Sequence, residues 1–182
     1  MNTRISKSIK ALTISGLLTA LAIVIPLFMP KLPVPQPFSV TPASHLAVIL
    51  AMFVSPFAVV CTVLGGTIAF FVALGPVVAM RAFSHIIFTL FGCYMIKKRY
   101  NLFLTMVITA VLHGLGEIIV VSVFALFGMS QSTMYFVWGI TGGITVLHHF
   151  FDFAIAMVVY KALQATKGLV SLEPVNLTKF KA

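Results

Sequence analysis

Charge is what this chain lacks most. Only 8% of its 182 residues are charged and three of them are acidic, whereas a soluble domain carries roughly 25%. It has no Gly-x-x-x-x-Gly-Lys-Ser/Thr loop, so nothing in it cradles nucleotide phosphates by that route. A step driven by ATP would therefore need another subunit. It has no His-Glu-x-x-His zinc helix, and its basic residues form no patch interleaved with aromatics of the kind nucleic-acid binding uses. Cys61 and Cys93 both fall inside apolar segments, where a thiol is a small apolar side chain, and they carry no information on redox compartment.

Hydrophobic residues make up 60% of the chain, with a mean hydropathy of +1.13. Such a chain needs lipid as its solvent, and the short polar gaps leave little room for an extramembrane domain. The expectation is an all-α integral membrane protein, a single domain over residues 1–182. It is a bundle of about six transmembrane helices, near 11–29, 42–54, 57–74, 77–96, 102–127 and 134–163. The first run is nearly long enough to span and no clear small-x-small cleavage site follows it, so it reads as a mature helix rather than a signal peptide. Proline and glycine set the boundaries: Pro30 to Pro37 forbids helix and favours a stiff loop able to act as a lid, and Ser55-Pro56 and Gly75-Pro76 end the second and third runs. The second run is short, which suggests a tilted or partly re-entrant helix.

The net charge of +9 is spent on topology. Arg4, Lys7 and Lys10 precede the first run, Lys97, Lys98 and Arg99 follow the fourth, and Lys161, Lys167, Lys179 and Lys181 follow or close the last. Alternating crossings put all three groups on one side, and the positive-inside bias makes that side, with both termini, cytoplasmic. The sequon at Asn176 then lies in the cytoplasm and is discounted as a glycosylation site.

An ionisable group inside a bilayer costs roughly 2.5 to 3.5 kcal/mol by insertion scales, so each is a functional candidate. Here they pair at helical spacing: Arg81 with His85 and nearby Ser84 on the fourth run, His113 with Glu117 on the fifth, His148 with Asp152 on the sixth, with His149 alongside. Ser44 and His45 open the second. Arg81 lies one turn below the outer end of its helix, so the pattern describes a cavity opening outward. A guanidinium stays charged and offers a fork that matches a carboxylate, which makes an anion the expected substrate. His45, His85 and Glu117 would bond a ring nitrogen or a second polar group, and Trp138 would supply a stacking wall. The bland alternatives are an ion pair of Arg81 with Glu117 or Asp152, interhelical bonds for the histidines, and internal glue for Asp152 with His148. Five histidines and two carboxylates also form a suitable metal-ligand set, but their spacing along each helix matches no metal motif, and no metal or other cofactor is assigned. Gly16 and Ala20 give the first helix a small-xxx-small face for close approach of another helix, inside the bundle or outside it.

Taken together, the chain resembles the substrate-binding S component of an energy-coupling factor (ECF) vitamin transporter. The resemblance rests on about six spans, a basic start, a long loop after the first helix, and Gly16-Leu17-Leu18-Thr19-Ala20, similar to the family's Ala-x-x-x-Ala surface with glycine for the first alanine. Pro37 to His45 and Met80-Arg81-Ala82-Phe83-Ser84-His85 look most like members assigned to niacin. The resemblance implies a high-affinity vitamin-binding subunit in a prokaryotic plasma membrane, not itself an enzyme. It docks through Gly16 and Ala20 on a membrane-embedded T component driven by two ATPase subunits, closes its first loop over the vitamin and topples in the membrane. Pantothenate suits Arg81 almost as well as nicotinate. A proton-coupled carrier using the histidine and carboxylate pairs, and a membrane-embedded, metal-dependent enzyme, are the rival readings.

Overall fold

The computed structural model describes residues 3–30, 41–126 and 131–165, with side chains from residue 9 in the first helix and 138 in the last. The expected lid at 31–40 and the tail with Asn176 lie outside these residues. Among the described residues the elements are six helices: α1 (Thr3–Phe28), α2 (Leu46–Met52), α3 (Pro56–Leu74), α4 (Pro76–Lys97), α5 (Leu102–Ala125) and α6 (Gln131–Ala165). Five of them are long and apolar enough to cross a membrane. The sixth, α2, has seven residues, about 10 Å at 1.5 Å per residue, against the roughly 20 residues a spanning helix needs.

The punctuation acts as its chemistry dictates. Ser55 is extended, as the residue before a proline prefers, and its hydroxyl caps α3 by accepting from the Ala58 N–H at 3.0 Å. Gly75 alone joins α3 to α4 at φ +85°, a conformation that only glycine adopts without strain, with Pro76 in the first turn of α4. A connection of one residue makes α3 and α4 antiparallel. Asn101 caps α5 by accepting from the N–H groups of Phe103 and Leu104 at 2.8 and 3.3 Å.

Packing explains why so short an α2 is tolerated. Helices α1, α3, α4, α5 and α6 pack in that succession, and α2 sits among them against α1, α3, α4 and α6. Six of its seven residues are buried, so its apolar surface meets protein rather than lipid. It runs alongside α4 in the same direction, with His45 beside His85 and Met52 against Gly92. Residues 45–52 therefore descend with α4 through the middle of the bundle. Below them Phe53 meets Tyr160 at a ring separation of 4.5 Å, within a core of Val59, Val63, Cys93, Ile96, Phe153 and Ala156. On the other side of α3, a Cβ at Gly65 would come within 2.7 Å of Thr19 on α1, so glycine is what lets those two helices touch.

Candidate functional site

The polar residues of α4, α5 and α6 repeat every four positions, which keeps them on one face of each helix. Arg81, His85 and Thr89 line α4; Thr105, Thr109, His113 and Glu117 line α5; Thr141, Thr145 and His149 line α6. All of these are buried. Three of the threonines bond back to the backbone one turn earlier: Thr89 Oγ1 donates to the His85 carbonyl at 2.6 Å, Thr105 Oγ1 to that of Asn101 at 2.9 Å and Thr109 Oγ1 to that of Thr105 at 2.7 Å. The charged groups must find partners on other helices.

They do so in two linked clusters. In the first, Arg81 Nη2 donates to Glu117 Oε2 at 2.8 Å, and Thr145 Oγ1 donates to the same oxygen at 2.6 Å. Glu117 Oε1 lies 3.4 Å from both His85 Nε2 and His113 Nε2, which are 3.1 Å from each other. In the second, Asp152 takes the backbone N–H of Ala43 on Oδ1 at 3.0 Å, and the N–H and Nδ1 of His45 on Oδ2 at 2.9 and 2.8 Å. His148 Nε2 is 3.3 Å from Oδ2 and 3.0 Å from Ser44 Oγ. Ala43 has φ +61°, strained for a residue with a Cβ, and the carboxylate holds it there. Asp152 is thus the anchor of the turn that leads into α2. The two clusters meet at His45, whose ring lies 4.7 Å from that of His85 and 4.5 Å from that of His113.

A cavity of about 30 Å³ opens among these groups, lined by Ser44, His45, Arg81, His85, His113, Glu117, Thr145 and His148, with Phe70, Val78, Ala82 and Ile144 as its apolar wall. Phe88 packs behind the histidines, its ring 4.6 Å from that of His113 and 5.1 Å from that of His149. The volume is that of a water or two. Anything larger enters only if side chains move, and Arg81 is the one whose charge a ligand carboxylate can satisfy in place of Glu117.

Arg81, His85, His45, Ser44, Glu117, His113 and His148 from the sequence set therefore line one cavity, and Asp152 supports it from behind. Two candidates stand elsewhere. Ser84 Oγ donates to the Arg81 carbonyl at 2.7 Å and packs against Gly116, on the side of α4 turned to α5. Trp138 is 50% exposed, donates Nε1 to Ser122 Oγ at 2.8 Å, and lies in an apolar groove with Leu115, Ile119 and Val123 on the outside of α5. It cannot wall the cavity, because its own helix carries it to the opposite face of α5. Thr145 and Thr109, which the sequence pattern alone does not single out, join the cluster through Glu117 and through His149, the histidine noted beside His148. Gly16 and Ala20 face outward, and a Cβ at Gly16 would meet no atom within 4 Å, so their small-xxx-small face is not used inside the bundle.

Over 91 residues, half of the chain, the sequence is 37% identical to the niacin transporter NiaX of Lactococcus lactis subsp. cremoris. The match covers 41% of that protein, so the chain spans less than half the length of this curated relative. It supports the likeness to niacin-type S components that the sequence suggested. No family model and no solved structure matches the chain.

Proposed function

We propose that this chain is the substrate-binding subunit of a vitamin importer of the ECF type and that its ligand is nicotinate. The observation that carries the reading is Arg81, 7% exposed and bound to Glu117 inside a ring of imidazoles contributed by α4, α5 and the start of α2. A fully buried ion pair is expensive to build and contributes little to stability over apolar packing, so its retention fits a site with another use for the guanidinium. Nicotinate is a small planar monoanion. Its carboxylate would take Arg81 from Glu117, and its ring nitrogen would accept from the Ser44 hydroxyl or His148 on the same cavity wall. The niacin transporter relative favours this ligand over pantothenate.

The transport topology belongs to the same proposal. Residues 45–52 travel from the level of His85 to that of Gly92 within the bundle, which supports reading the second run as a short sixth pass wrapped in protein. Six passes return the chain to its starting side, and Lys97, Lys98 and Arg99 make that side the cytoplasm of a prokaryotic cell. The exposed face of α1 at Gly16 and Ala20 suits docking on a T component, with ATP hydrolysis in two separate ATPase subunits and none in this chain.

The test is a calorimetric titration of the purified chain with nicotinate, nicotinamide and pantothenate, beside an Arg81→Ala variant. One-to-one binding of nicotinate, weak binding of the uncharged amide and loss in the variant are expected. Folded protein that binds neither acid, or that binds amide and acid equally, overturns the assignment.

A further inference from the structure

The hydrogen bonds around the histidines fix which of their nitrogens carry protons. Thr109 spends its hydroxyl proton on the Thr105 carbonyl at 2.7 Å, so it can only accept at 3.0 Å from His149 Nε2. His149 Nδ1 is then bare and accepts from His113 Nδ1 at 3.2 Å. That leaves the lone pair of His113 on Nε2, pointing toward His85 Nε2 and Glu117 Oε1. On the other side His45 Nδ1 donates to Asp152 at 2.8 Å, which leaves its lone pair on Nε2. The bare His113 Nε2 and the carboxylate oxygen Glu117 Oε1 thus both face His85 Nε2, which either donates a single proton to them or, bare, joins them as a third ligand of a metal ion.

The spacing is that of a coordination shell. Ligands about 2.0 to 2.1 Å from a tetrahedral metal are about 3.3 Å from one another, and His85 Nε2, His113 Nε2 and Glu117 Oε1 form a triangle of 3.1, 3.4 and 3.4 Å. His45, His85 and His113 each bring one ligand nitrogen within 4.8 Å of the other two. The outer atoms of the set are held as metal ligands require: His45 by Asp152, His113 by His149, Glu117 Oε2 by Arg81 and Thr145. The charge balance also admits a cation. With neutral imidazoles, the one guanidinium of Arg81 faces the two carboxylates of Glu117 and Asp152, so the buried cluster carries one negative charge in excess.

We infer that His45, His85, His113 and Glu117 form a site for a divalent transition metal of the zinc, cobalt and nickel class, which imidazole-rich sites prefer. The ion gives the cluster a net charge of +1. The site stands whether or not the cavity takes nicotinate.

The experiment uses the full chain without an affinity tag, stripped with chelator in detergent and titrated with Co²⁺ and Zn²⁺. One equivalent per chain should bind, with the visible d–d absorption of four-coordinate Co²⁺, its displacement by Zn²⁺ and a rise in melting temperature. His85→Gln or His113→Gln should abolish the spectrum. Asp152→Asn should weaken binding by roughly 10- to 100-fold, as loss of an outer-shell partner does, with the spectrum retained. Cys61→Ser should change nothing. Absence of binding by the folded wild-type chain overturns the inference, as does a cobalt spectrum that survives in folded His85→Gln and His113→Gln and disappears in Cys61→Ser.

Discussion

At its first turn α2 lowers His45 into a cluster of imidazoles, a guanidinium and two carboxylates, and seven residues later it delivers Met52 and Phe53 into a core built from apolar side chains and the ring of Tyr160. Both regions are buried to the same degree, and the same helices α4 and α6 wall both. They differ in what holds them. The apolar end is stabilised by shape, through contacts that each contribute little and together fill space. The His45 end is held by a few strong, directed bonds whose partners come from different helices, and each group left unpaired there would cost several kcal/mol. An interior built only for stability would look like the Phe53 end throughout. On the proposed function the polar end is where the chain gives up stability for a site, and Phe88, packed against the histidines, is the boundary between the two.

The sharpest way to break the comparison is at Arg81. Replacing it with Met leaves Glu117 buried beside histidines without its guanidinium, and the chain should lose about 3 to 5 kcal/mol, the usual cost of halving a buried pair. The double variant Arg81→Met with Glu117→Gln should recover most of that loss, because a neutral amide still accepts from Thr145. It should not recover nicotinate binding. Thermal unfolding in detergent separates the two effects: if the double variant melts as low as the single one, the pair is a stability device and the contrast between the two ends fails.

At the other end the expected result is the mirror image. Phe53→Ala removes a ring that is 1% exposed and stacked near Tyr160, and should cost about 3 kcal/mol through the cavity it leaves. Affinity for nicotinate in the folded fraction should stay within about twofold, since Phe53 is not among the residues that line the cavity and effects at separate sites add independently. An affinity that falls along with the melting temperature would mean that the two regions act as one unit.

Five of the helices were legible because hydropathy, proline and glycine mark their ends: Gly75-Pro76 and Ser55-Pro56 fall where the chain turns. That logic fails at α2, whose residues are as apolar as those of a span although it is far shorter, since it is shielded by neighbours and not by lipid. The site was legible as pairs at four-residue spacing, and Arg81, His85, His113 and Glu117 do share a cavity. What spacing along single helices does not carry is the rotation of one helix against another. That rotation turns Trp138 away to the outside of α5, brings His45 between His85 and His113, and assembles from three elements a ligand set that no one segment contains.

The smallest expected effect comes from the outer face of α1, and it divides two glycines of the same composition. At Gly65 a side chain would run into Thr19 and Ile23, so Gly65→Leu should force α1 from α3 and destabilise the chain by about 1 to 3 kcal/mol, the cost of overpacking. At Gly16 a side chain meets nothing within 4 Å, so Gly16→Leu should change the melting temperature by no more than a surface substitution does, within about 0.5 kcal/mol. Nicotinate binding by the isolated Gly16→Leu chain should be intact. Uptake by cells carrying it should fall sharply, because the close helix approach that a small residue permits is lost only when a partner helix arrives. Uptake that persists undiminished beside an undisturbed fold would assign the Gly16 and Ala20 face to lipid alone, and the docking surface would have to be sought on another helix.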